Sequence, residues 1–143
     1  MPEQGNYVVV AMENTKNANR IFKYAIELAE ERHKAVYGIY VIDTVQNLPY
    51  DEDQWETWIE TQEALGTFNM QRHSEMAAEA DIRFIWSVMY GDPVRKIARF
   101  ANLDNVCHLV MGAYGERHLA MDLLGHKVPE ILSHVRENVT LVH

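Results

Sequence analysis

Three glycines late in the sequence have the spacing to bind a phosphate group. Gly112 is followed after two residues by Gly115, and Gly125 follows after nine more, directly before His126. Glycines let backbone amides approach an anion with no Cβ in the way, and a helix predicted to begin near His126 offers unpaired N–H groups and the positive end of its dipole. On spacing alone, ordinary turns and helix caps explain these glycines better, so a phosphate site needs further support.

Most other chemistries have no motif in this sequence. There is no G-x-x-x-x-G-K-[ST] loop, and no G-x-G-x-x-G follows the first predicted strand. Cys107 is the only cysteine, which excludes a C-x-x-C pair and an intrachain disulfide, and the seven histidines include no H-E-x-x-H pair. No serine lies in a G-x-S-x-G pattern. We therefore predict no catalytic residue, no metal site and no efficient hydrolase.

Composition and charge restrict the partners. The 143 residues are 48% hydrophobic, which suits one domain over residues 1–143 that folds without a partner. The formal net charge of −8 repels nucleic acids and anionic lipids. The N-terminus has no signal-peptide pattern, and nowhere do about eighteen apolar residues run together. We expect a cytoplasmic protein that binds neither nucleic acid nor membrane.

Apolar strands alternate with amphipathic helices along the chain. Continuous β-branched runs predict strands at 7–12, 35–42, 82–88, 106–111 and 138–142, and apolar residues at three- and four-residue spacing predict helices at 17–33, 55–80, 93–103 and about 126–136. Gly91, Asp92 and Pro93 signal the start of the third helix, and Trp55 and Trp58 are predicted to pack against the sheet. This order predicts an α/β fold with a mostly parallel sheet and helices on both faces.

The glycines follow the fourth predicted strand directly. In an open, doubly wound sheet, ligands bind beyond the carboxyl ends of the strands, at the point where the strand order reverses. The position of the glycine segment in the chain, as well as its spacing, therefore suits a ligand site.

Four segments together resemble the universal stress protein family. They read VVVAMENT near the start, GDPVRKIARFA in the middle, VMGAYG after it and LLGHKVPEILSHVRENVTLV at the end, and they span nearly the whole chain. The nucleotide-binding branch of that family carries G-x2-G-x9-G-[ST], which the three glycines match. The resemblance implies a single-domain, five-stranded sheet in the order 3-2-1-4-5, with adenosine between the ends of strands one and four.

The resemblance also implies which residues bind the cofactor. The carboxylate of Glu13 is expected near the adenosine, the backbone of Val41 at the adenine, and the glycines at the phosphates, where Arg117 or Lys127 could add positive charge. His126 stands at the serine or threonine position of the family pattern. The expected cofactor-binding residues are Ala11, Met12, Glu13, Val41, Met111, Gly112, Gly115, Arg117, Gly125, His126, Lys127 and Val128.

The resulting expectation is a homodimeric stress-response regulator that pairs through 138–142 and binds ATP, ADP or AMP, with or without Mg²⁺, with any hydrolysis slow. The chain departs from the family pattern at Glu13, where the family has an aspartate, at Ala113, which brings no hydroxyl, and at His126. These departures favour an alternative within the same family, a domain that binds no nucleotide and acts as a dimerisation or regulatory module.

Overall fold

The β-branched segments form one parallel sheet. The computed structural model describes residues 6–13, 17–112, 123–136 and 138–142. Within these residues the strands are β1 (Tyr7–Met12), β2 (Ala35–Asp43), β3 (Phe84–Gly91), β4 (Val106–Gly112) and β5 (Asn138–Val142). They lie in the order β3-β2-β1-β4-β5, and every neighbouring pair is parallel. The predicted α/β class and the strand order 3-2-1-4-5 are confirmed.

Helices cover both faces of this sheet. They are α1 (Ala18–Arg32), α2 (Trp55–Glu79), α3 (Pro93–Ala101) and α4 (Leu123–Leu132). Alternate residues of β1 point to opposite faces, so Val8 and Val10 join the core under α1 and α2, whereas Val9 and Ala11 join the core under α3 and α4. Every residue of β1 is buried, which explains why that segment is continuously apolar.

The start of α3 agrees with its sequence signals. A carboxylate oxygen of Asp92 accepts a hydrogen bond from the backbone N–H of Val94 at 3.2 Å, and Pro93 occupies the first turn. Gly91 has a φ of 130°, which other residues rarely adopt. The predicted aspartate cap and first-turn proline are therefore confirmed, whereas Gly91 is the last residue of β3 rather than part of a turn. The helix ends at Ala101, two residues before the predicted 103.

The predicted bounds of the third strand are wrong at both ends. The strand begins at Phe84 rather than at 82, because the N–H of Ile82 donates to the carbonyl of Ala77 at 2.9 Å and so belongs to the end of α2. It continues to Gly91 rather than to 88, because β2 also continues and pairs Asp43 with Gly91. Pairing with β2 sets the C-terminal end of β3, and the periodicity of the sequence does not predict this pairing.

The predicted bounds of the last helix are also wrong. α4 spans Leu123–Leu132 rather than about 126–136, so Gly125 and His126 lie inside the helix. The side chain of Asn102 fixes the chain after α4: its amide nitrogen donates to the carbonyl of His134 at 2.8 Å, and its oxygen accepts from the N–H of Arg136 at 2.8 Å. A side chain distant in sequence thus bonds the backbone that the prediction assigned to the helix.

α2 runs unbroken through Gly66. A Cβ at Gly66 would lie 2.8 Å from Cδ1 of Tyr40, so this glycine permits close packing of the helix on β2.

The two tryptophans of α2 differ in burial. Trp58 is half-buried against the core, as predicted. Trp55 is 37% exposed, and its indole nitrogen donates to the carbonyl of Pro49 at 2.8 Å. The predicted core position of Trp55 is wrong because this loop contact holds the ring.

Among the helices in the described part of the chain, none is both long and apolar enough to cross a membrane.

Candidate functional site

At its carboxyl end, the pairing of β1 with each neighbouring strand stops before that neighbour ends. Its pairing with β2 ends at Met12 and Tyr40, whereas β2 continues to Asp43. On the other side, β4 continues to Gly112, beyond its last pair with β1. The resulting gap over the end of β1, bounded by residues 41–43 and 111–112, is here called the β1 notch. It lies where the strand order reverses, which is the usual ligand position in open α/β sheets.

Glu13 and Gly112 lie side by side at this notch. Glu13 follows β1 directly and is only 8% exposed. A Cβ built on Gly112 would lie 3.0 Å from Oε1 of Glu13 and 3.0 Å from Cδ1 of Ile21, tighter than most real Cβ contacts. A side chain at position 112 would therefore have to displace the carboxylate or the isoleucine. The structure thus brings together two residues that the sequence assigned to the site.

A buried ion pair closes one side of the notch. Nζ of Lys127, in the middle of α4, lies 2.9 Å from Oδ2 of Asp43, the last residue of β2, and the two side chains are 14% and 1% exposed. Oδ1 of Asp43 accepts from the backbone N–H groups of Val45 and Gln46 at 2.9 Å each. Lys127, expected at the phosphates, is bound by a carboxylate in this structure.

The electrostatics of Asp43 follow from these contacts. Burial alone would raise the pKa of Asp43, but hydrogen bonds from the Gln46 backbone, the Lys127 ammonium and the Val45 backbone outweigh it and lower the pKa below 3.8. Asp43 is therefore a carboxylate at neutral pH. The sequence reasoning missed this residue, although an aspartate that ends a strand and precedes a polar segment is a signal for such a turn.

The remaining predicted residues fall into four groups. Val41 is half-buried and lies just beyond the β1 pairing, where its main chain borders the notch. Ala11, Met12, Met111 and Val128 are buried in the core clusters, so their main chain rather than their side chains is suited to contact a ligand. Gly125 and His126 belong to the main chain of α4, and Gly115 and Arg117 lie outside the described residues.

The described residues also bear on metal binding. Among residues 6–13, 17–112, 123–136 and 138–142, no three His, Cys, Asp or Glu side chains are grouped so that they could hold a metal ion.

A doubly wound α/β sheet with a notch over its central strand defines the class, and comparison with known proteins identifies the family. The family model described as the universal stress protein family matches residues 6–143. The chain therefore belongs to the universal stress protein family.

Individual relatives are similar over most of their length. The chain is 27% identical over 137 residues to universal stress protein MJ0531 of Methanocaldococcus jannaschii, covering 94% of this chain and 80% of that one. It superposes on universal stress protein UspA from Lactobacillus plantarum with a TM-score of 0.83 at 17% identity, over 98% and 99% of the two chains. It also superposes on the universal stress protein from Archaeoglobus fulgidus in complex with dAMP, with a TM-score of 0.71 at 14% identity, over 100% of both chains. At these identities the structural likenesses establish the fold.

Proposed function

We propose that this chain binds an adenine nucleotide in the β1 notch and acts as a stress-response regulator rather than as an enzyme. The observation that carries the proposal is that Oε1 of Glu13 lies beside Gly112, a residue without a Cβ, at the β1 notch. The proposed ligands are ATP, ADP and AMP, with or without Mg²⁺. Membership of the universal stress protein family supports the proposal.

The groups around the notch suit the parts of a nucleotide. The Glu13 carboxylate can accept hydrogen bonds from ribose hydroxyls, and the main chain of Val41 offers a donor and an acceptor to an adenine edge. The same carboxylate repels phosphate, so the phosphates are expected away from Glu13, towards the start of α4. The family relative from Archaeoglobus fulgidus, whose structure is described as a complex with dAMP, supports an adenine nucleotide as the ligand class.

Isothermal titration with ATP, ADP and AMP, with and without Mg²⁺, tests this proposal. We expect saturable binding by the wild-type chain and a loss of at least about tenfold in affinity in Gly112→Val, because the new side chain must displace Glu13 or Ile21. Gly115→Trp and Gly125→Trp test the phosphate side. Arg83→Gln, an exposed change just before β3, is the control and should bind like the wild type.

One outcome of the titration would contradict the proposal. If no nucleotide binds to the wild-type chain and none copurifies with it, the nucleotide proposal is wrong. Circular dichroism and urea unfolding of Gly112→Val are measured alongside, because only a folded variant reports on the site.

One observation favours the second candidate, a nucleotide-free dimerisation or regulatory module. Lys127 is bound to Asp43 at 2.9 Å and so does not extend towards a phosphate in this structure. The proposed dimer forms through β5, an edge strand whose Val139 and Leu141 are half-buried.

Light scattering tests the dimer of either candidate. We expect a dimer for the wild-type chain and a monomer for Leu141→Lys, because a charge in an apolar strand interface is costly. Asn138→Lys, at the exposed start of β5, is the matched control. A wild-type monomer, or a Leu141→Lys dimer as stable as the wild type, would contradict pairing through this strand.

A further inference from the structure

Three positively charged side chains line one pocket on α3. The pocket has a volume of about 310 Å³ and is lined by Val45, Asp92, Arg95, Lys96 and Arg99. It is here called the α3 pocket. Three cations against one carboxylate give its wall a net positive charge, in a chain whose formal net charge is −8. A local reversal of sign against the charge of the whole molecule is a feature of sites that attract anions.

The carboxylate in the wall is already engaged. Asp92 uses an oxygen to cap α3 through the N–H of Val94. Within the described residues, Arg95, Lys96 and Arg99 form no ion pair, and the one pair recorded there joins Lys127 to Asp43. No carboxylate of the described residues therefore competes with a ligand for the guanidinium groups of Arg95 and Arg99.

The local backbone positions the lysine. Cε of Lys96 would lie 3.2 Å from a Cβ on Gly91, so its aliphatic chain passes over this glycine. Gly91 has a φ of 130°, and a substitution there would be strained as well as crowded. The glycine at the end of β3 thus leaves room for the lysine side chain beside the pocket.

The spacing of the arginines selects a ligand class. Arg95 and Arg99 are four residues apart on α3, which places their Cβ atoms about 5–6 Å apart on one helix face. Guanidinium groups bind phosphate oxygens in pairs of parallel hydrogen bonds, so two of them side by side match two linked phosphoryl groups better than a single monovalent anion. A volume of about 310 Å³ also exceeds what one small ion fills.

We propose that the α3 pocket is a second binding site, separate from the β1 notch, for a small molecule that carries a diphosphate or longer phosphate chain. Arg95 and Arg99 bind the phosphoryl groups, and Lys96 adds charge from the side of Gly91. The pocket is built from α3 and the segment after β2, whereas the notch is bounded by the ends of β1, β2 and β4. The inference does not depend on nucleotide binding.

Isothermal titration of the full chain with inorganic diphosphate tests the pocket. We expect saturable binding that weakens as salt is added, and a loss of about tenfold or more in affinity in the double variant Arg95→Gln/Arg99→Gln. Lys23→Gln/Arg83→Gln removes the same charge from exposed positions outside the pocket and is the matched control. This control should bind diphosphate nearly as tightly as the wild type.

Each other outcome contradicts the proposal. Absence of binding at millimolar diphosphate overturns it, and an equal loss in both double variants means that diphosphate responds only to overall charge. Binding that survives Arg95→Gln/Arg99→Gln but is lost in Gly125→Trp places diphosphate at the notch instead. A second readout uses the wild-type chain alone: diphosphate should protect Arg95 and Arg99, but not Arg83, from modification by phenylglyoxal, as measured by peptide mass.

Discussion

The β1 notch and the α3 pocket lie on the same edge of the sheet but hold their charges in opposite ways. At the notch, Glu13 and Asp43 are 8% and 3% exposed, and Asp43 is bound by Lys127. At the pocket, Arg95 and Arg99 are exposed and form no ion pair within the described residues. Buried charges are stable only with partners, whereas exposed cations cost little and remain available. The notch charges should therefore matter for stability, and the pocket charges for ligand binding.

The two regions should differ most in how much the free energy of unfolding falls when one cation is removed from each. Lys127→Met leaves the buried carboxylate of Asp43 with only its two backbone donors, so we expect a loss of about 3 kcal/mol in the free energy of unfolding. Arg99→Met removes an exposed charge and should change this free energy by less than about 0.5 kcal/mol. Urea unfolding at neutral pH measures both.

A double variant separates loss of the ion pair from loss of packing. Asp43→Asn/Lys127→Met removes both charges, and it should be more stable than Lys127→Met because no uncompensated carboxylate remains. If Lys127→Met and Arg99→Met lose similar amounts of stability, the contrast between the two regions does not hold.

The fold was predictable because local patterns and packing agree. Apolar, β-branched runs identified all five strands of the described sheet, and Asp92 and Pro93 identified the start of α3. The failures lie where single hydrogen bonds decide: the side chain of Asn102 binds the backbone after α4, and the carbonyl of Pro49 accepts a hydrogen bond from the indole of Trp55. Such contacts leave no periodic trace in the sequence.

The site was less predictable than the fold for the same reason. The sequence suggested Glu13 and Gly112 separately, but only the fold shows that they lie side by side. It assigned Lys127 to a phosphate, because nothing in the local sequence reveals that Asp43, 84 residues away, binds its ammonium group. Nothing in the local sequence reveals that Arg95, Lys96 and Arg99 line one pocket with Val45 and Asp92.

The last comparison concerns the stability of the fold in acid. A buried histidine, His73, lowers this stability at a higher pH than Asp43 of the notch does. His73 is 1% exposed, its ring stacks on Phe22 with centroids 4.5 Å apart, and its Nε2 lies 3.1 Å from Oδ1 of Asn19. Burial, followed by the nearby charge of Arg72, lowers the pKa of His73 from 6.5 to about 4. As the pH falls through this window, the unfolded chain takes up a proton that the folded chain does not, so stability is lost between pH 6.5 and about 4.

We expect His73 to account for a loss of about 3 kcal/mol across that window, and His73→Gln, which keeps an N–H donor, to remove most of this slope. Burial, followed by the charge of Arg32, also lowers the pKa of His108, which adds a slope of the same sign. The exposed His33→Gln is the matched control for loss of an imidazole. Because the lowered pKa of Asp43 lies below 3.8, its loss of stability falls at lower pH than that of His73. Urea unfolding at a series of pH values measures both windows, and an unchanged slope between pH 6.5 and 4 in His73→Gln would show that another group causes it.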